Sequence, residues 1–443
     1  MIEMRSISRV ISRVLFRPRI FPASTASISP REIVDEEACP VYNPKYFYPA
    51  KPGEILSNHY QLLVKIGWGT RSTVWLARDN TRYRWQSERF ITLKIINNRD
   101  ADDADHERDI EEHIGRQTVS HRGRGIVRTC LESFEVVGPV DRHLCLVYEP
   151  LREPLWILQK RFVNQKLPLP IAKAYIFILL AGLDFLHSEC KLDNILMTFE
   201  NEDILPKFIK EHSTTMPIEY KLDSDTNRAV YRCHNDFGPL DWRELRKMIP
   251  KIADFGLASR LHSEMETGEE VGIYPIQPDP YRAPEVVLGC GWGFSADIWN
   301  FGVLIWNILE RTDLFCHVYD SQGRYDAKAH IAEMIGLLGP PPKELLDKSN
   351  AMAQHKWPNF IQNDAGKHCS NMRDFFGGPF FDDKGNFLHD ELVPARSLKD
   401  TIPSLEEDER QAFLSFVSQM LTWLPKERKT ARQLMEHPFL NGE

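Results

Sequence analysis

The sequence is short of paired cysteines, of long apolar runs and of positive charge. Its eight cysteines are scattered from Cys39 to Cys369. None form a C-x-x-C pair and none sit at zinc spacing with histidines, which excludes a zinc-finger or disulfide framework and reads as reduced thiols in an intracellular protein. The longest apolar run, "YIFILLAGLDFL" from Tyr175, is about half of a membrane span, so it reads as a core helix and no membrane is expected as a partner. The formal net charge of -8 disfavours direct nucleic-acid binding. What remains, 42% hydrophobic and 27% charged residues over 443 positions, is a soluble globular composition with room for two or three domains or one large two-lobed one.

Acidic residues are nearly absent from the first 26 or so positions. There Arg5, Arg9, Arg13 and Arg17 recur every four residues, and Ile7, Val10, Ile11, Val14 and Leu15 lie largely opposite. Residues 1–35 therefore read as a basic, Ser/Arg-rich segment with the pattern of a mitochondrial transit peptide. A disordered basic start fits the same residues. Residues 36–59 carry prolines and aromatics and read as an extended lead-in.

The motifs begin at residue 60. In "YQLLVKIGWGTRSTVWLARD", Leu62, Val64 and Ile66 lead into a glycine-bearing turn, and Val74 and Leu76 lead out of it, which predicts two strands joined by a loop. Gly67 and Gly69 lack a Cβ, so the backbone there can close over phosphates and offer N–H donors; Ser72 stands where a third glycine would complete the loop. "FITLKII" follows as a strand with one inward lysine, Lys94, which needs an anion. "DADHERDIEEHIGR" predicts a helix, and "HLCLVYEPL" a short apolar strand. Further on, "PKIADFGLA" sets Asp254-Phe255-Gly256 after a strand, a carboxylate for a hard cation beside a glycine that permits a sharp turn. "DPYRAPEVVLG", "SADIWNFGVLIWNILERTDLF" and "MLTWLPKERKTARQLMEHPFL" complete the series.

In this order and spacing, the motifs resemble those of protein kinases over residues 60 to 440. The resemblance implies an α+β, two-lobed kinase-like fold: an N-lobe at 60–151, rich in β-strand with one main helix, and a larger, mostly helical C-lobe at 152–440, with 199–251 inserted before Asp254. It implies ATP and Mg2+ as cofactors. Lys94 would be held by a carboxylate on the following helix. Glu107 is chosen, because Ile110 and Ile114 share its stripe; Glu111 is the poorer candidate. Gly67, Gly69, Ser72 and Val74 would cover the phosphates and adenine. Thr92 stands where such a strand carries Ala. Tyr148 would be the gatekeeper, Glu149 and Leu151 would hydrogen-bond adenine through their backbone, and Leu196 would line the nucleotide site. Asp254 and Asn194 would bind the metal, and Lys191 would assist transfer. Glu285 of Ala-Pro-Glu would pair with Arg428, and Asp297 would brace the catalytic loop; these three are structural.

Within kinases, "KIGWGTRSTVWLARD", "HRGRGIVRTCLESFEV", "CLVYEPL" and "KLDNILM" are similar to the SR-protein-specific kinases, above all compact fungal-type members. That likeness implies transfer to serine or threonine of protein substrates, Arg/Ser-rich splicing factors among them, and so a place in mRNA processing. It also implies a monomer in cytoplasm or nucleus. The insert holds a second tripeptide, Asp236-Phe237-Gly238 in "NDFGPLDW", which lacks the downstream context and reads as a decoy. In the activation segment Ser263 and Thr267 lie among glutamates and read either as phosphosites or as part of an acidic loop that needs no phosphate.

One part is missing. A kinase catalytic loop reads H-R-D-x-K-x-x-N, in which the Asp accepts the substrate proton. Here "LDFLHSECKLDNILM" supplies Lys191 and Asn194 but no H-x-D. Two registers compete. In one, a helix with Tyr175, Leu179, Leu183 and Leu186 as its inner stripe runs to its usual end, and about seven or eight loop residues are absent, up to roughly 25 Å of extended chain. In the other, His187 takes the His position and Glu189 the Asp position, with a carboxylate displaced by about an ångström and the helix end unwound. A chain lacking the base would be a pseudokinase, a nucleotide-binding scaffold.

Overall fold

A computed structural model describes residues 25–82, 85–99, 101–117, 120–186, 194–256, 258, 261 and 271–441. The strands of the first part of the chain are β1 (Thr25–Ser27), β2 (Ile55–Leu56), β3 (Tyr60–Trp68), β4 (Ser72–Asp79), β5 (Arg89–Ile96), β6 (Glu132–Val137), β7 (Arg142–Tyr148), β8 (Asn194–Met197), β9 (Ile218–Leu222), β10 (Ala229–Tyr231) and β11 (Pro250–Ala253). The longer helices are α1 (Ala101–Arg116), α2 (Leu169–Leu186), α3 (Ile204–Thr214), α4 (Ser295–Leu309), α5 (Ala327–Leu338), α6 (Lys343–Met352) and α7 (Glu407–Val417). The chain divides into two compact units. The first comprises the chain up to residue 119 with Arg128–Pro154 and Ile195–Gly256; the second comprises Ser120–Val127, Leu155–Asn194 and the chain from Leu257.

The first unit is built on an antiparallel sheet in the order β2-β3-β4-β5-β7-β6. Its register sets Val74 opposite Lys94 and Thr92 opposite Tyr148. Side chains alternate across the pleat. Leu62, Trp75, Ala77, Ile91, Leu93 and Val147 line one face, and Leu63, Val64 and Leu76 the other. Both faces are covered by residues 199–251: Ile218 and Tyr231 pack on the first, and Phe208, Ile209 and Phe237 on the second. The insert therefore belongs with the sheet of the first unit and not with the helical unit to which the sequence boundary at 151/152 assigned it. The reason is apolar area. Burying a side chain such as Phe208 or Ile209 stabilises by about 1.5–3 kcal/mol, and the sheet offers the complementary surface.

The start of the described chain is also part of this unit. β1 pairs in parallel with β9, and β9 with β10. Ile28 and Val34 are buried with Val230. Glu36 is fully buried and its carboxylate meets Lys65 of β3 and, at 3.0 Å, Arg228 beside β10. Burial pushes the Glu36 carboxyl up, but the two cations outweigh it and hold the group below the usual carboxylate range. The basic-segment boundary at residue 35 is thus too late: residues 25–35 belong to the fold, because Ile28, Val34 and Asp35 find partners in the insert, which a local reading cannot see. Residues 1–24, with the transit-peptide pattern, lie outside the described residues. The lead-in turns through short 3-10 segments at Asp35–Ala38 and Pro44–Tyr46 and buries Phe47 and Ala50.

The second unit is helical. α2 carries the inner stripe read from the sequence, with Tyr175, Leu179, Leu183 and Leu186 all buried. Val163–Leu186 is long and apolar enough to cross a membrane by length and composition, and 56% of its most apolar window is buried inside the unit. The "HRGRGI" turn lies on this helix so closely that a Cβ on Gly123 would sit 1.8 Å from the Ala181 carbonyl oxygen, so only glycine fits there. α4 is the other apolar element, with Trp299 and Trp306 fully buried. No disulfide forms among the described cysteines.

Candidate active site

The geometry centres on Lys94. Its ammonium lies 2.6 Å from Glu107 Oε1 and 3.1 Å from Asp254 Oδ1. β5 presents the lysine because "FITLKII" alternates; α1 presents Glu107 because Ala104, Glu107, Ile110 and Ile114 form one buried stripe. Of the two acids weighed, Glu107 is the one in contact. Gly256 closes the cluster from behind: a Cβ there would lie 3.2 Å from Glu107 Oε2. Asp254 has left-handed backbone (φ 67°), a conformation Asp tolerates better than most residues. Burial works against the Lys94 charge, yet Glu107 and Asp254 more than offset it and raise its pKa above the ordinary lysine value.

The first unit also holds the other expected groups. Gly67, next to last in β3, lies tightly against β4, with a hypothetical Cβ 3.3 Å from Val74 Cβ. The turn is closed by the Gly69 N–H donating to the Ser72 carbonyl (2.9 Å), and Ser72 itself is buried. Arg71, at the loop tip, pairs with Asp103 of α1. Thr92 and Tyr148 are buried neighbours on adjacent strands. The Glu149 side chain is exposed, while its carbonyl accepts from Arg128 Nη2 at 3.0 Å, leaving a second lone pair for another donor. Leu151 is buried, and Leu196 bridges to Pro154. After Leu151 the chain is tied to β8: the Arg152 N–H donates to Met197 O (2.7 Å) and the Met197 N–H to Glu153 O (3.3 Å). β8 in turn pairs with β11, the strand that leads to Asp254.

Sequence reasoning missed two buried clusters here. Arg152 lies within 2.9 Å of Glu153 and 3.2 Å of Glu200, all three side chains fully buried, and donates to the Gly238 carbonyl (2.7 Å). The signal available was only "LRE" after an apolar strand. The other is Glu111, which accepts from the Tyr148 hydroxyl and from the Cys130 N–H, each at 2.9 Å. Its signal was present: 107, 110, 111 and 114 follow the i, i+3, i+4, i+7 pattern of a buried face.

In the second unit, Glu285 and Arg428 form a bidentate pair at 2.6 and 2.7 Å, both fully buried. Arg428 also donates to the carbonyls of Ser295 and Thr422 and stacks over Trp299. Asp297 is buried in the first turn of α4. Glu189 and Lys191 lie outside the described residues, as do the Asn194 side chain, Ser263 and Thr267.

The residues present fit a nucleotide and a hard cation. Lys94 is a half-buried cation held between two carboxylates, and the Asp254 side chain is 48% exposed, so its carboxylate is open to a metal while it touches the lysine. A glycine-bearing hairpin over a lysine-bearing strand, a helix carboxylate on that lysine and an aspartate after a further strand are the parts of a protein kinase.

The comparisons agree. The protein kinase domain model matches residues 242–440. A serine/threonine protein kinase of Aspergillus fumigatus is 32% identical over 410 residues, spanning 92% of this chain and 91% of its own length. The serine/threonine-protein kinase SRPK of Physarum polycephalum is 28% identical over 446 residues, spanning 92% and 91%. Protein kinase dsk1 of Schizosaccharomyces pombe is 24% identical over 507 residues, spanning 91% and 85%. A solved kinase domain matches with a TM-score of 0.57 at 19% identity, covering 90% of this chain and 100% of its own, which concerns the fold alone. The chain belongs to the serine/threonine protein kinase family. The family reaction is phosphoryl transfer from ATP, with a divalent metal, to protein substrates.

Proposed function

We propose that this chain binds ATP with Mg2+ through Lys94, Glu107 and Asp254, and that its transfer to Arg/Ser-rich protein substrates is impaired for want of a catalytic base. The observation that carries the nucleotide reading is the double grip on Lys94 by Glu107 and Asp254. Lys94 would take the α/β-phosphates, the loop from Gly67 to Ser72 would cover them, and Asp254 with Asn194 would hold the metal, which supplies charge neutralisation during transfer. The Arg/Ser-rich substrate class rests on the likeness to SRPK of Physarum polycephalum. A monomer in cytoplasm or nucleus accords with that reading. Targeting by residues 1–24 to mitochondria stays a separate proposal, testable by fusing them to a reporter.

The second reading is a non-catalytic nucleotide-binding scaffold. α2 stays helical through Leu186, which favours the register in which the H-x-D is lost over the one that unwinds the helix end and makes Glu189 the base. In the impaired-kinase reading, labelled phosphate enters an Arg/Ser peptide slowly but above background, and Lys94→Ala abolishes it. In the scaffold reading, MgATP raises the melting temperature and no label is transferred. Absence of nucleotide stabilisation refutes both. Sequencing the transcript across codons 188 to 192 tests whether an H-x-D belongs there.

A further inference from the structure

Behind Lys94 lies a polar cluster that no step above uses. Glu111 stands one turn after Glu107 on α1 and is fully buried. Its two oxygens are both occupied: Oε1 accepts from the Tyr148 hydroxyl at the end of β7, and Oε2 from the Cys130 N–H just before β6. Tyr148 is itself buried, and the Arg128 guanidinium lies over its ring, 4.3 Å from the centroid. Arg128 donates to the Glu149 carbonyl at 3.0 Å, and its N–H donates to Ile252 O at 2.8 Å, two residues before Asp254.

A second carboxylate is an unusual choice for the interior of a helix face that already buries Glu107 among Ala104, Ile110 and Ile114. An aliphatic residue would fill the space without desolvating a charge. What the acid adds is direction: two hydrogen bonds fix the rotation and height of α1 against β7 and the β6 edge. Glu107, one turn away on the same face, inherits that placement.

We propose that Glu111 is a positioning residue for nucleotide binding: by pinning α1 to Tyr148 and to the Cys130 backbone, it sets where Glu107 meets Lys94. Arg128 extends the same cluster to the Glu149 carbonyl and to β11. Helix, adenine-side strand and metal-side strand are thereby joined by hydrogen bonds at both ends and by the stacking of Arg128 on Tyr148 between them. This inference rests on the reading that Lys94 binds nucleotide phosphates.

The cluster also gives nucleotide binding a pH dependence of its own. The titratable and charged groups facing Glu111 are Glu107, Lys94, Tyr148, Cys130 and Arg128. Burial pushes the Glu111 carboxyl up to about 7, against the hydrogen bonds from Cys130 and Tyr148. Above neutrality the group is ionised and adds a third carboxylate charge, beside those of Glu107 and Asp254, near Lys94, which disfavours an anionic nucleotide. By linkage, nucleotide binding favours the protonated acid, so affinity falls as pH rises through 7.

The test is titration of the full chain with mant-ADP and MgCl2 from pH 6 to pH 8, for wild type, Glu111→Gln, Glu111→Leu, Tyr148→Phe, the Leu/Phe double variant and Lys94→Ala. The expected results are a loss of about tenfold for Glu111→Leu and about threefold for Tyr148→Phe at pH 7. The double variant is no weaker than Glu111→Leu, because that substitution has already removed the hydrogen bond from Tyr148. Glu111→Gln binds within about twofold of wild type at pH 6, and relative to it the wild type weakens about threefold by pH 8. Glu111→Leu and Tyr148→Phe that bind like wild type, while Lys94→Ala does not, overturn the proposal and leave the nucleotide reading intact. Lys94→Ala binding like wild type overturns the nucleotide reading and the proposal with it. If Glu111→Leu fails to fold by far-UV circular dichroism, Tyr148→Phe and the Gln pH series decide: affinities and pH profiles equal to wild type overturn it.

Discussion

The chain contains the tripeptide Asp-Phe-Gly twice, and the two copies share almost nothing but their letters. At 254–256 the aspartate meets Lys94, the phenylalanine is fully buried, and the glycine lies against Glu107. At 236–238 the exposed aspartate accepts from the Gly238 N–H at 3.0 Å in a local turn. Phe237 is buried between Phe199 and Phe208, with ring centroids at 5.1 and 4.7 Å, and Gly238 has φ 87° with open space where a Cβ would lie. In both copies the phenylalanine is a core residue. In the first the aspartate meets a cation supplied by β5, Lys94. The tripeptide is therefore a turn with a plug, and the lysine and glutamate of other elements give one copy its chemistry.

The largest expected effect is one that the copies share. Phe255→Ala and Phe237→Ala should each lower unfolding free energy by about 3–5 kcal/mol, read from urea denaturation, since each removes a buried ring. A cost confined to position 255 would break the comparison. The glycines should separate the copies. Gly238→Ala should cost about 1–2 kcal/mol of stability, because its backbone is left-handed, and leave nucleotide affinity unchanged. Gly256→Ala should do the reverse: little stability is lost, but the new Cβ displaces Glu107 and mant-ADP binding weakens about fivefold, roughly 1 kcal/mol.

A smaller effect is expected from acid. His234, two residues before the second copy, stacks edge-on with His212 at 4.9 Å, and burial with the neighbouring His212 pushes its pKa down to about 4. Its folded value lies below the unfolded value near 6.5. The stability it contributes is thus present above about pH 6.5 and lost as pH falls toward 4. Melting temperature should fall over that window, and His234→Gln should flatten the fall. An unchanged pH profile in that variant would show that protonation elsewhere drives the loss.

The sheet, the lysine strand and helix α1 were legible from residues 60 to 148, because alternation and a heptad-like stripe are local properties. That Lys94 has a carboxylate partner on α1 came from the resemblance to kinases, and the stripe of Ile110 and Ile114 only chose Glu107 over Glu111. The placement of 199–251 was not. Phe208, Ile209, Ile218 and Tyr231 bury themselves on strands more than a hundred residues earlier, and no period in the insert announces that. Glu111 was set aside as a partner for Lys94, which it is not. Its position on the buried stripe marked it as interior, but its partners Tyr148 and Cys130 come from elsewhere in the chain. The buried group of Arg152, Glu153 and Glu200 was hidden likewise, since charged residues near a proline read as surface.

The most direct measurement compares the two aspartates by isothermal titration of the full chain with MgADP. Asp254→Asn should weaken binding by tenfold or more and abolish its dependence on Mg2+, since the lysine loses an ionic partner and the metal a ligand. Asp236→Asn should bind like wild type. Equal affinities for wild type and Asp254→Asn, or an equal loss at Asp236, would contradict the assignment of the nucleotide site to Lys94, Glu107 and Asp254.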